Sequence, residues 1–129
     1  MQFSPMRLPI ALIGALVALV LLMPAAADAQ PAPLTDKQKQ QYKEHIKRAK
    51  AYAALDQFDK AAPEFLAAYK VDNKPALLFN AAHAFWLAKM PDEALEQYRA
   101  YLKVEPKGRG SAQARKRFFE VAETRWQEN

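Results

Sequence analysis

The chain contains no cysteine and only three glycines among its 129 residues. The missing thiols exclude disulfides, c-type haem attachment, thiolate metal sites and a cysteine nucleophile. With so few glycines there is no glycine-rich loop to hold a phosphate. The two histidines, His45 and His83, lie far apart in the sequence and do not form a metal-binding motif. The domain must therefore be stabilised by packing, and the sequence predicts no catalysis, no metal and no cofactor.

Charge is also nearly missing from the start of the chain, where Arg7 is the only charged residue before Asp28. Residues 8–23 are almost all apolar, and a proline and small residues follow them. This layout is typical of a secretory signal peptide, here residues 1–29 with cleavage after Ala29. The alternative is an uncleaved inner-membrane anchor formed by residues 8–23, because the uncharged stretch 8–27 is about long enough to span a bilayer. We expect a periplasmic or secreted protein.

Removal of this leader would leave residues 30–129, which suit one small domain. Residues 30–34 are proline-rich and are expected to form an exposed tether. The leader contains one basic and one acidic residue, so the net charge of +5 would not change. This surplus favours acidic partners through long-range attraction. Nucleic acid is not an expected partner outside the cytoplasm.

Apolar residues at three- and four-residue steps, interrupted by prolines and turn residues, predict an all-α domain. Thr35 and Gln38 form a capping-box pattern at the first helix, and Asn73 and Ser111 are the expected caps of the third and fifth. The third helix is apolar nearly all round, which predicts a central position. The expected helices run from 36 to about 55, 59 to 71, 75 to 89, 91 to 104 and 111 to 127.

Two stretches of the chain match each other at a spacing of 33 residues. A period of this size indicates that each unit is one supersecondary element that buries its apolar face against its neighbour. Proteins built in this way usually bind other proteins. The matched pairs are Ala49 with Ala82, Tyr52 with Phe85, Ala61 with Ala94, Phe65 with Tyr98, Lys70 with Lys103 and Val71 with Val104.

These residues resemble the pattern of tetratricopeptide repeats (TPR), in which small residues lie where two helices cross and an aromatic residue lies near the middle of each helix. The resemblance implies TPR-like helix-turn-helix repeats at about 42–73 and 75–106, within residues 35–106. Residues 107–129 resemble the usual capping helix. An ordinary up-and-down helical bundle is the alternative fold.

The chain departs from the TPR pattern at a few positions. Tyr101 stands where the family has a second small residue, and Asn73 stands in place of the closing proline of the first unit. Asp56 and Lys89 occupy the tight turns where a glycine is expected.

The resemblance implies an inner groove lined by the first helix of each pair. Aromatic anchors in a concave surface are frequent hot spots for binding, and nearby lysines would attract an acidic or C-terminal peptide. The alternatives are that Phe79 and Trp86 belong to the core and that the lysines form a solvated face. The predicted groove residues are Lys43, Ile46, Lys47, Lys50, Ala53, Ala76, Phe79, Asn80, His83, Trp86 and Leu87.

The sequence thus predicts a non-catalytic module that binds a protein or peptide, with no small-molecule substrate. One role is a periplasmic adaptor or scaffold; the alternative is a structural subunit that assembles with itself or into a larger envelope complex. A monomer is favoured, because Phe118 and Val121 are expected to dock the fifth helix over the open end of the second unit. The expected apolar face of this helix is Ala114, Phe118, Val121, Ala122 and, at its end, Trp126.

Overall fold

The structure, a computed structural model, describes residues 31–128, and these form five α-helices and no strand. The predicted leader and anchor lie outside the described residues. The helices belong to one compact unit that begins at Pro33. They are α1 (Asp36–Ala54), α2 (Phe58–Val71), α3 (Pro75–Leu87), α4 (Pro91–Val104) and α5 (Ser111–Gln127). The predicted all-α class is confirmed, and the helix ends fall within two residues of expectation.

Each helix packs mainly against the next one in sequence, so α1 lies on α2, α2 on α3, α3 on α4 and α4 on α5. This arrangement of helix pairs is consistent with a helical repeat. α3 has neighbours on both sides and buries six residues, which confirms its predicted central place. None of the helices described is long and apolar enough to cross a membrane.

The four matched alanines Ala49, Ala61, Ala82 and Ala94 have no exposed surface. A fully buried alanine leaves no room for a longer side chain in a close-packed interior. The helix surfaces at these positions are therefore in close contact with their surroundings, as the repeated pattern of small residues predicts.

The matched aromatic residues are buried more deeply in the second unit than in the first. Phe85 is 8% exposed and Tyr98 is fully buried, whereas Tyr52 and Phe65 are only partly buried. The second unit has packed helices on both sides, because α2 precedes it and α5 follows it. The first unit has a described neighbour on one side only.

The capping box at the start of α1 is confirmed. The amide of Gln38 donates to the Thr35 hydroxyl at 3.2 Å, and the amide of Thr35 donates to the Gln38 side chain at 2.9 Å. The two bonds satisfy amides that a helix start otherwise leaves without partners.

The other two predicted caps are wrong. The cap residue of α3 is Lys74 rather than Asn73, with no side-chain cap, and Pro75 begins the helix. Ser111 is the first residue of α5, whose cap is Gly110. The Ser111 hydroxyl lies 2.7 Å from the carbonyl oxygens of both Glu105 and Gly108, so it holds the joint before the helix instead of capping it.

α5 docks on α4 through Ala114 and Val121, which are fully buried, and through the partly buried Phe118. Trp126 was expected on the same face, but this prediction is wrong, since Trp126 is 85% exposed. It follows Val121 by five positions, which turns it about 140° away on a helix with 3.6 residues per turn.

Candidate functional site

One side of α3 is open and lines two cavities, both of which include Asn80. The larger cavity, of about 450 Å³, lies where the first half of α3 faces the end of α4 and the start of α5. We call it the α4–α5 cavity. Its lining residues are Pro75, Ala76, Phe79, Asn80, Tyr101, Glu105, Arg109, Gly110 and Gln113.

The smaller cavity, of about 250 Å³, lies where the second half of α3 faces α1 and α2. We call it the α1–α3 cavity, and the two cavities together the α3 groove. Its lining residues are Lys50, Ala53, Phe58, Phe65, Asn80, His83, Ala84 and Leu87.

The structure brings together part of the predicted groove. Lys50, Asn80, His83 and Leu87 line the α1–α3 cavity, and Phe79 lies with Asn80 in the α4–α5 cavity. Ala53 and Ala76 also fall in these linings, one in each cavity.

The other predicted residues lie outside both cavities. Lys43 and Lys47 are exposed on α1, and Ile46 is partly buried there. Trp86 is partly buried against the core, with the Lys89 ammonium 6.0 Å from its ring centroid. Of the two positions considered for Trp86, the core fits its surroundings better than the groove does.

Phe79 is shared between the groove and the core. Its ring meets those of Tyr98 and Tyr101 edge-on, with centroids 5.5 Å and 5.7 Å apart. Edge-to-face pairs of this kind are favourable, because the positive ring edge meets the negative face. Tyr98 is fully buried, so Phe79 is supported from behind while its other side lines the α4–α5 cavity. The ring of Phe79 therefore forms an apolar wall of the α4–α5 cavity, and its packing against Tyr98 holds it in place.

The polar groups of the α3 groove differ along its length. Burial, helped by the nearby Arg117 guanidinium, lowers the pKa of His83 below its ordinary value of 6.5. Both effects favour the neutral imidazole of His83, which can donate and accept hydrogen bonds. Lys50 supplies a positive charge in the α1–α3 cavity, and Arg109 with Glu105 gives the far end of the groove both signs of charge.

A polar network joins α1 to α2: His45 and Arg48 of α1 contact Glu64 of α2. Glu64 lies 2.6 Å from Nδ1 of His45 and accepts a hydrogen bond from Arg48 Nε at 3.0 Å. Partial burial raises the pKa of Glu64, but the hydrogen bonds from His45 and Arg48 outweigh this effect. Its pKa consequently lies below the ordinary value of 4.5, which shows that the fold favours the charged form.

Sequence reasoning missed the α4–α5 side of the groove. The residues that build it come from the end of α4 and from the joint before α5, and their positions depend on the path of that joint. One clue was present: Tyr101 stands where the TPR pattern expects a small residue. The buried side chain of Tyr101 occupies space that a small residue would leave empty, and Gly110 lies against the Tyr101 hydroxyl.

Comparison with known proteins found no match: no family model, no curated protein and no solved structure matches the chain. Within residues 31–128 no three His, Cys, Asp or Glu side chains are grouped so that they could hold a metal ion.

Proposed function

We propose that the chain is an exported, TPR-like, non-catalytic interaction module that holds a short acidic peptide segment of a partner protein in the α3 groove. The observation that carries the proposal is the pair of cavities that meet at Asn80. A bound peptide needs an elongated surface, and the linings of the two cavities together extend along α3 from Pro75 to Leu87.

The length of the track limits the peptide. Residues 75 to 87 span about 18 Å along a helix. An extended chain rises about 3.3 Å per residue, so the α3 groove holds about five residues. A short linear segment fits this space, whereas a folded domain would contact it only at its rim.

The composition of the groove indicates which side chains it would bind. The ring of Phe79 offers an apolar floor beside the α4–α5 cavity, which suits one aliphatic or aromatic side chain. Lys50 lies in the other cavity and favours a carboxylate there. The exposed amide of Asn80 lies between them and can hydrogen-bond the peptide backbone. The net charge of +5 adds long-range attraction for an acidic partner.

A matched pair of charge reversals tests the site. Lys50 and Lys43 are both exposed lysines of α1, but only Lys50 lines the groove. The probe is a fluorescently labelled peptide with an acidic residue four positions from a leucine, compared with the same peptide carrying lysine in place of the acid. We expect the acidic peptide to bind more tightly, and Lys50→Glu to weaken its binding roughly tenfold.

Lys43→Glu makes the same change in net charge and is expected to alter the affinity less than twofold at 150 mM salt, where the Debye length is about 8 Å. Equal losses in the two variants would show that the attraction is a general effect of charge, and the site assignment would be wrong. Binding of the acidic and basic peptides with equal affinity would contradict the proposed preference.

Export is a separate part of the proposal and has its own test. Expression of the whole chain in a Gram-negative host should yield a product that begins at Gln30, as read from its intact mass. Retention of residues 1–29 on a membrane-bound product would favour the anchor instead.

A further inference from the structure

The outer side of α5 carries a straight row of five exposed residues. Phe119 is 66% exposed and Trp126 is 85% exposed. At 100° per residue, the whole row lies within about 40° of the direction of Phe119. We call it the α5 stripe, and its members are Ala112, Arg115, Phe119, Glu123 and Trp126.

Two large aromatic residues are unusual on this surface. α5 is the last of the helices within residues 31–128, and its other face is packed against α4. The terminal helix of a repeat array usually turns a polar face to solvent, because no further repeat covers it. Here two aromatic residues on one helix face are solvent-exposed, and an exposed apolar surface of this kind is a candidate interaction site.

The α5 stripe is symmetric about Phe119. Arg115 precedes Phe119 by four residues, and Glu123 follows it by four. Ala112 precedes it by seven residues and Trp126 follows it by seven. A second copy of α5, laid antiparallel with a twofold axis through Phe119, would therefore place opposite charges face to face. It would also place each bulky Trp126 over a small Ala112.

Both charges are free to make this contact. Glu123 has no ion-pair partner among the described residues. Arg115 donates one hydrogen bond, at 2.9 Å, to the carbonyl oxygen of Pro106, and it forms no ion pair with a carboxylate among residues 31–128. The row steps by three, four, four and three residues, so neighbouring members lie beside each other on one helix face. An isologous interface needs a patch that is complementary to itself, and the α5 stripe meets that condition.

We propose that the α5 stripe is a self-association surface, which pairs antiparallel with the same stripe of a second copy of this chain. The seam from residue 112 to residue 126 is only about 21 Å long. It is shorter than a standard interface requires, so the dimer is weak and depends on protein concentration. The stripe does not include any residue of the α3 groove, so this inference is independent of the proposed function.

Charge reversal tests the pairing itself. The protein is the segment from residue 31 onward, which contains the whole described core, and the measurement is sedimentation equilibrium over a wide concentration range. Arg115→Glu places two acidic residues opposite each other at both ends of the dimer, and Glu123→Arg places two basic ones there. We expect either variant to weaken association roughly tenfold, because two exposed pairs are lost and replaced by repulsion.

The double variant Arg115→Glu/Glu123→Arg restores both pairs and should dimerise within about twofold of the parent. A mixture of the two single variants should form heterodimers for the same reason. Arg115→Gln removes the attraction without adding repulsion, so its effect should be smaller than that of Arg115→Glu. In a Trp86→Phe background, the emission of Trp126 should shift to shorter wavelength as the concentration rises.

Circular dichroism of each variant establishes that it is folded, so a loss of dimer cannot be attributed to unfolding. A parent protein that stays monomeric throughout the concentration range would overturn the proposal, and so would a double variant no better than the single ones. The aromatic face could instead meet a lipid surface. Anionic vesicles that bind Glu123→Arg more tightly and Arg115→Glu more weakly, with no dimer in solution, would establish that outcome and overturn self-association.

Discussion

Asp56 and Lys89 adopt the same left-handed backbone conformation, with φ of 56° and 61°, at turns 33 residues apart. The hydrogen bonds around them also correspond. The amide of Gln57 donates to the carbonyl of Tyr52 at 2.9 Å, and the amide of Met90 donates to that of Phe85 at 2.9 Å. The period in the sequence is therefore also a period in the backbone: α1 and α3 end in the same way, and each is followed by the second helix of its pair.

Glycine at either turn should stabilise the protein. A side chain in the left-handed region brings its Cβ close to the following carbonyl oxygen, at a cost of about 1 kcal/mol that glycine avoids. Lys89→Gly should raise the free energy of unfolding by up to about 1 kcal/mol. Asp56→Gly should raise the free energy of unfolding by a smaller amount, because aspartate tolerates the left-handed conformation better than lysine does. Urea denaturation measures both.

The control for these variants is Lys47→Gly. Lys47 is exposed inside α1, where glycine should lower the free energy of unfolding by about 1 kcal/mol. If glycine lowered stability equally at positions 47 and 89, the left-handed turn after α3 would be refuted.

The buried alanines should not accept a larger side chain. Ala61 and Ala94 have no exposed surface, so leucine there must displace its neighbours. We expect Ala61→Leu and Ala94→Leu each to lower the free energy of unfolding by about 1–3 kcal/mol. Ala51→Leu is the matched control, because Ala51 is exposed on α1 and should change stability by less than about 0.5 kcal/mol. An unchanged denaturation midpoint in Ala94→Leu would contradict the close packing of this helix pair.

The helices were predictable from the sequence because local chemistry determines them. Proline at the first position of α3 and of α4, and the capping box at Thr35, each mark a helix end. The fully buried alanines were predictable for a similar reason, since a period of 33 residues repeats the same packing.

The candidate site was less predictable, because it depends on where helices lie relative to one another. Lys43, Lys47 and Lys50 share one face of α1 in the sequence pattern, yet Lys50 lines the α3 groove and the other two do not. Trp126 was assigned to the wrong face of α5, and the sequence left Trp86 open between the groove and the core. A helical period gives the direction of a side chain on its own helix, but it does not tell whether a neighbouring helix covers that direction.

Gly110 should be hard to replace. A Cβ at this position would collide with the hydroxyl of Tyr101, whose ring is buried against Phe79. Gly110→Ala must therefore move Tyr101 or the joint before α5, and we expect a loss of about 1–3 kcal/mol in the free energy of unfolding. The double variant Gly110→Ala/Tyr101→Phe removes the colliding oxygen and should recover part of this loss. No recovery would show that the joint is limited by something other than Tyr101.

The network around Glu64 should make stability depend on pH in the acid range. Because the pKa of Glu64 is lowered in the folded protein, its stabilising contribution is present above pH 4.5 and is lost as the pH falls below that value. Glu64→Gln should be less stable than the parent by about 1 kcal/mol at pH 7, and the difference should shrink at pH 3. Glu96→Gln, at an exposed position of α4, is the control, and an equal trend in the two variants would contradict the role of Glu64.

The buried hydroxyl of Tyr98 predicts a substitution that stabilises the protein. This oxygen has no hydrogen-bond partner among the described residues, and burial raises the pKa of Tyr98 to about 12. Tyr98→Phe keeps the ring and removes an unsatisfied polar atom, so the free energy of unfolding should rise by about 1 kcal/mol at pH 7. Tyr98→Ala should instead lose about 3–5 kcal/mol, because it leaves a cavity.

The same burial predicts an alkaline effect whose sign follows from the raised pKa. The unfolded chain releases the phenol proton near pH 10, whereas the folded chain holds it until about pH 12. Unfolding therefore becomes easier as the pH rises from 10 to 12 in the parent. The stability advantage of Tyr98→Phe over the parent should consequently be larger at pH 11 than at pH 7, as measured by denaturation at both. Tyr69→Phe is the control, and an equal pH trend in the two variants would show that Tyr98 is not the group responsible.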